Sequence, residues 1–320
     1  MEQLLDRYMR YLEVERNASP FTVRNYRSDL LDFLGYLREQ KVAVTGEVDR
    51  LVLRRYLARL LDRKLVKASI ARRLSAIRSF YRYLIREKVV SSNPLATTSS
   101  PKLERRLPAF LSAQEMSRLL AAPDISTPQG QRDKALLELL YASGLRLSEI
   151  VRLNLAQLNL GAREARVWGK GSKERVVLMG RPAVAALELY LAQGRPRLLG
   201  GGRTDALFVN RDGQRLAERR VQLILKEYAR KIGLEKRVYP HLLRHTFATH
   251  LLDGGADLRV VQELLGHASL TSTQVYTHVT QSQARKVYLA AHPRARGEAE
   301  RLSDGTSPGE DDEDTGYSWT

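Results

Sequence analysis

The decapeptide HLLRHTFATH at residues 241–250 sets three of the chain's six histidines beside an arginine, and the other three, His267, His278 and His292, also lie downstream of it. Imidazole titrates near neutral pH and a guanidinium stays charged, so the combination suits proton transfer beside an anion. His241 and His245 stand four apart, a spacing found in zinc-binding helices. The context disagrees with a metal: Leu242 stands where the HExxH motif has its glutamate, the chain has no cysteine, and Arg244 would place a permanent cation beside the ion. Read for an anion, the segment makes sense. A helix starting after Pro240 brings His241 and Arg244, three apart, to adjacent surface positions at an end that favours negative charge. His245 shares that face and reads equally well as a hydrogen-bonded core histidine, while His250 is expected to face elsewhere.

Overall charge supplies a partner for such a site. The chain of 320 residues has 53 Lys and Arg against 36 Asp and Glu, a net +17. Residues 297–320 alone hold one basic and eight acidic residues, which leaves 52 against 28, or +24, on residues 1–296. That surplus is what a surface neutralising phosphates needs, so double-stranded nucleic acid is the expected partner; a generally basic proteome is the plain alternative. The absence of cysteine excludes disulfides, thiolate metal sites and a cysteine nucleophile. No apolar run is long enough to cross a bilayer, and the N-terminus interleaves charge with leucine, so the expectation is a cytoplasmic protein with no membrane partner.

The elements that must position these residues are mostly helical, and the length suits two domains. In the first hundred residues, Ser19 can cap a helix with Pro20 in its first position, followed by a stripe of Tyr26, Leu30, Phe33, Leu34 and Leu37. A second stripe, Ile70, Leu74, Ile77, Tyr81 and Leu84, leaves Arg72, Arg73, Arg82 and Arg86 outside it. These arginines are either solvated or rest on a duplex backbone, and a net +9 over residues 1–100 favours the second. Ser, Thr, Pro and charge concentrate within residues 91–108, where a linker is expected. Beyond Leu111 two helices follow, the second closed by Gly144. EARVWGKGSKERVVLMG then carries a hairpin signal, and after Pro182 the pattern returns to helix almost to the end. The expected fold is mainly α with a small antiparallel β-hairpin, in a two-domain arrangement.

HLLRHTFATHLLDGGADLRVVQELLGHASLTSTQVYTHV resembles the carboxy-terminal signature of the tyrosine recombinases, the phage-integrase superfamily, and of its bacterial Xer group in particular. RDKALLELLYASGLRLSEI, VWGKGSKERVVLMG and, nearer the N-terminus, LSAIRSFYRYL followed by NP and PK resemble Xer segments in the same order, so the likeness covers roughly residues 1–296. It implies a helical core-binding domain over residues 1–95, a linker at 96–108 and an α+β catalytic domain over 109–296; residues 297–320 depart from the family, and their acidic composition predicts a disordered tail. It also places the first catalytic arginine on Arg146, the hairpin lysine on Lys170, the histidine and second arginine on His241 and Arg244, the next histidine on His267, and the nucleophile on Tyr276, nine residues later.

Chemistry gives each a role. Attack on a phosphodiester builds negative charge on its nonbridging oxygens, which the forked donors of Arg146 and Arg244 can meet. Tyr276 can form a covalent phosphoester and later leave from it, so the bond energy is kept. His241 is the expected base and Lys170 the acid for the departing deoxyribose oxygen; His267 would donate to the phosphate and hold Tyr276 in line. Singly each residue has a plainer reading: Arg146 could merely pair with Glu149, and Lys170 could be a solvated turn lysine. Together they imply DNA cleavage through a 3′-phosphotyrosine with no cofactor and no metal, by four protomers on two sites, alone or with a paralogous partner. In the Xer group this resolves chromosome dimers at cell division, often under a septal DNA translocase. The last helix, SQARKVYLAAHP, would dock on a neighbouring protomer. A plasmid or mobile-element integrase or resolvase of the same family, a type IB topoisomerase and a DNA-binding protein with an idle site remain as alternatives.

Overall fold

The protein is described by a computed structural model, which covers residues 1–16, 18–42, 46, 48–96, 109–168, 174–266 and 278–295, the backbone alone at 278–282. It divides into two compact units, Met1–Arg106 and Leu107–Thr320, each with its own apolar core.

The first unit holds helices α1 (Glu2–Val14), α2 (Pro20–Glu39), α3 (Arg50–Asp62) and α4 (Lys67–Arg86). Ser19 caps α2 by accepting from the Thr22 amide at 3.2 Å, with Pro20 at the first turn as the sequence suggests. Leu30, Phe33, Leu34 and Leu37 of α2 and the whole stripe of α4, from Ile70 to Leu84, are buried. Arg73 differs from expectation. It is neither solvated nor facing outward, because Asp29 and Asp32 on α2 draw it into ion pairs within the unit.

In the second unit α5 (Ala113–Ala121) opens with a reciprocal cap between Ser112 and Glu115. Helix α6 (Pro128–Ser143) is buried over most of its circumference and ends at Gly144, whose φ of 58° is left-handed. After α7 (Leu147–Arg152), strands β1 (Leu158–Asn159), β2 (Glu164–Trp168) and β3 (Glu174–Leu178) form an antiparallel sheet in that order. The register pairs Val167 with Arg175 and Ala165 with Val177, so Arg175 shares the face of the buried Val177.

The chain continues through α8 (Arg181–Leu189), a π turn at Tyr190–Gly194, α9 (Arg195–Leu199), α10 (Glu218–Lys231), α11 (Pro240–Asp253), α12 (Leu258–Leu265) and α13 (His278–Ala291). Helix is not continuous here as expected after Pro182. Between Gly200 and Ala217 isolated bridges join Asn154 to Ala206 and Val209 to Arg215, and Leu207, Phe208 and Val209 sink into the core. That run of β-favouring residues had a strand-like composition from the start. Helix α13 packs within its own unit, where Tyr288 and Leu289 join Phe247 and Leu251 in one apolar cluster.

Candidate active site

Three segments converge through the guanidinium groups of Arg146, Arg175 and Arg244. Gly144 is the first support. The left-handed turn it makes ends α6 and brings Arg146 two residues later to the start of α7. A side chain at Gly144 would put its Cβ 2.5 Å from Phe247 of α11, so the close approach of α6 and α11 requires glycine here.

Arg244 crosses that approach. Its Nη1 donates to the Gly144 carbonyl and its Nη2 to the Leu265 carbonyl, both at 2.6 Å, which ties α11 to the ends of α6 and α12. Expectation placed Arg244 at the surface, but the residue is only 9% exposed. The reason lies in α11 itself, where Leu242, Leu243, Thr246, Phe247, His250 and Leu251 are buried on several sides of the helix. Burial, and then the nearby Arg146 charge, lower the Arg244 guanidinium to about 10. It stays charged at working pH and would gain by meeting an anion.

Arg146 is held by a carboxylate. Glu149 accepts from the Arg146 amide at 2.8 Å and from its Nη1 at 2.9 Å. The same carboxylate accepts Arg175 Nη1 at 2.8 Å and Nη2 at 2.9 Å. Burial alone would raise the Glu149 carboxyl, but the Arg175 and Arg146 hydrogen bonds and charges outweigh it and hold it at about 2. Arg146 Nη2 also reaches the Gly266 carbonyl at 3.4 Å. Gly266, with a left-handed φ of 65°, closes α12 immediately before His267.

His241 is exposed in the first turn of α11, behind Pro240, while Arg244 one turn on points inward. His245 is half-buried. His250 faces away from this centre, as expected, and shares a 2.8 Å hydrogen bond with the Tyr141 hydroxyl. Lys170, His267 and Tyr276 lie outside the described residues. Among those described, no group of histidine and carboxylate side chains is arranged to hold a metal ion.

Residues 109–283 match the phage integrase family, and residues 5–88 match the phage integrase N-terminal SAM-like domain. The chain belongs to the Xer group of the phage integrase family, the tyrosine site-specific recombinases. It is 50% identical over 302 residues to the tyrosine recombinase XerC of Pelotomaculum thermopropionicum, covering 92% of this chain and 99% of that one. With the tyrosine recombinase XerD of Staphylococcus epidermidis it shares 41% identity over 92% of this chain and the whole of that one. The recombinase fold is also that of XerH bound to a palindromic difH substrate after cleavage, with a TM-score of 0.65 and 24% identity over 90% of this chain and 82% of that chain.

Two residues of this centre escaped the sequence reading. Glu149 entered only as a possible partner for Arg146, and Arg175 only as one residue of the hairpin segment. Strand alternation held the missing signal: Arg175 and Val177 are two apart, on the face that Val167 and Ala165 of β2 also bury.

Proposed function

We propose that this recombinase cleaves and rejoins duplex DNA through a 3′-phosphotyrosine on Tyr276. The observation that carries the reading is the convergence of Arg146 and Arg244 around the Gly144 and Gly266 turns, the second of which leads directly into His267. Two fixed guanidiniums beside one shared carboxylate leave positive charge for the two nonbridging oxygens of a phosphodiester. The Tyr276 phenolate attacks phosphorus, the P–O5′ bond breaks, and a free 5′-hydroxyl departs. His241 takes the phenolic proton, Lys170 protonates the leaving oxygen, and His267 donates to the phosphate and keeps Tyr276 in line. A 5′-hydroxyl from the partner duplex then attacks the phosphotyrosine, restoring one phosphodiester for each broken and consuming no cofactor.

Residues 1–95 act in this reading as the core-binding domain, 96–108 as linker, 109–296 as catalytic domain and 297–320 as an acidic tail. The named relatives and neighbours, among them a λ integrase tetramer on a Holliday junction, support a tetramer on two DNA sites, formed with itself or with a paralogous Xer protein. The biological task we assign is resolution of chromosome dimers at a dif-like site in the cytoplasm during cell division, under a septal translocase. No helix among the described residues is long and apolar enough to cross a membrane. A nicked suicide duplex carrying the host's dif-like sequence tests the reading: the wild type should be trapped as a covalent adduct and Tyr276→Phe should not. Nicking by the phenylalanine variant, or loss of wild-type activity in EDTA, would overturn it.

A further inference from the structure

We infer that Arg175 is a positioning residue of the cleavage reaction, acting through Glu149 and the Gly266 turn; the inference rests on the catalytic reading above. Arg175 meets Glu149 as a two-pronged fork, Nη1 on Oε1 at 2.8 Å and Nη2 on Oε2 at 2.9 Å, which fixes the plane of the carboxylate. That plane sets Arg146 twice, because Oε1 also takes the Arg146 Nη1 and Oε2 its amide. Without the fork, Glu149 is free to turn wholly onto Arg146.

Charge points the same way. A Glu149–Arg146 pair alone would be neutral and would offer little to a phosphate. Sharing the carboxylate with Arg175 leaves Arg146 under-compensated: two guanidiniums hold one carboxylate, and a third, Arg244, lies near enough to feel their charges, around the place a phosphodiester must occupy. Shape adds a second route. The aliphatic end of Arg175 lies against Gly266, where a Cβ would stand 3.0 Å from Cδ and 3.1 Å from Nε. Gly266 carries the carbonyl that Arg146 reaches, and Leu265 before it carries the one Arg244 reaches. Arg175 thus braces from behind the turn that presents both arginines.

A direct DNA contact is the competing role for an arginine on this hairpin. Only 16% of the Arg175 side chain is exposed, both Nη atoms are committed to Glu149, and Nε is buried with no acceptor among the described residues. Reaching a phosphate would require leaving Glu149.

The test uses the full chain and the nicked suicide duplex, with the single-turnover rate of adduct formation at saturating DNA and the duplex affinity measured separately for wild type, Arg175→Gln, Arg175→Lys, Glu149→Gln and the Glu149→Gln/Arg175→Gln pair. Arg175→Gln should slow adduct formation by about 10²-fold with affinity changed less than about threefold, as misplacement of a reacting constellation does. Lysine, which keeps the charge without the fork, should restore only part of that rate. In the Glu149→Gln background, Arg175→Gln should cost well under the about 10²-fold it costs alone, because the linkage through the carboxylate is already broken and only the support of the Gly266 turn is left to lose. A wild-type rate in Arg175→Gln overturns the inference, as does a loss of affinity matching the loss of rate, or a loss additive with Glu149→Gln. A melting temperature that falls while the rate per folded molecule stays unchanged makes the role merely structural and also overturns it. Should the wild type itself bind the duplex and form no adduct, the catalytic reading fails first and takes this inference with it.

Discussion

Each unit buries a carboxylate beside arginines, and the two carboxyls shift in opposite directions. Asp29 on α2 is 1% exposed and Glu149 on α7 is 7% exposed, so both have left water. Burial raises Asp29 above its ordinary value despite Arg72 and Arg73, whereas Glu149 is held at about 2. Geometry explains the difference. Asp29 is gripped by Arg72 on one oxygen, with Arg73 Nε a distant 3.8 Å from the other. Glu149 receives three close guanidinium contacts and a backbone amide. The companion of Asp29, Asp32, takes Arg63, Arg73 and the Tyr56 hydroxyl, so in the first unit three arginines meet two carboxylates. In the second, Arg146 and Arg175 meet one, and Arg244 stands near them with only backbone carbonyls as partners. A nearly balanced cluster holds helices together, and an under-compensated one waits for an anion.

The sharpest way to break this contrast is at Arg244. Lysine cannot donate to the Gly144 and Leu265 carbonyls and to a phosphate together, so Arg244→Lys should lower the single-turnover cleavage rate by about 10²- to 10³-fold, the scale of losing a preorganised donor to developing charge. A rate within about tenfold of wild type would mean the surplus charge of the second cluster is not used in the reaction.

Glu149 tests the same contrast through pH. Its folded value of about 2 lies below the ordinary 4.5, so the unfolded chain takes up the proton first as pH falls. The stability it contributes is whole above pH 4.5 and disappears as pH drops from 4.5 towards 2. Across that window wild type should lose about 3 kcal/mol relative to Glu149→Gln, read from denaturant midpoints of the second unit. Parallel acid limbs in the two proteins would place Glu149 with Asp29, as a carboxyl that burial keeps from being a strong anion.

How much of this was visible beforehand follows from the range of the interactions. The stripes of α2 and α4, the Ser19 cap and the Gly144 stop are local, and local chemistry announces them. The pairing of β2 with β3 was visible because a short turn joins them. Arg175 and Glu149 are 26 residues apart and nothing in either segment names the other; only the folded sheet brings them together. Arg244 was misplaced at the surface for a related reason. Its spacing from His241 says where it sits on the helix, while its burial depends on what α6 and α12 bring to that side. Arg73, sought near DNA, was claimed by α2.

Arg73 turns the comparison onto the first unit. Its side chain is 14% exposed and spans Asp29 and Asp32, so Arg73→Gln leaves two acids with less compensation. Unfolding free energy of the first unit should fall by about 2 kcal/mol, in the range for depriving a buried charge of one of its partners. The rate of adduct formation at saturating DNA should stay at the wild-type value. A slowed chemical step with unchanged stability would show that the cluster on α2 and α4 belongs to the reaction after all.

The smallest effect is expected at Arg72, and it decides whether the first cluster is closed to DNA. Arg72 shares Asp29 with Arg73 but is 42% exposed on its solvent side. Because water already screens this half of the pair, Arg72→Gln should cost less than about 1 kcal/mol. If Asp29 fully occupies the guanidinium, duplex affinity should keep the same dependence on salt concentration. A phosphate contact made by Arg72 would instead reduce the slope of log affinity against log salt by about 1 on substitution. Such a change would mean that the surplus arginine of the first cluster also meets an anion, and the two clusters would then differ only in depth: one reading the backbone from the surface, the other gripping the phosphate that reacts.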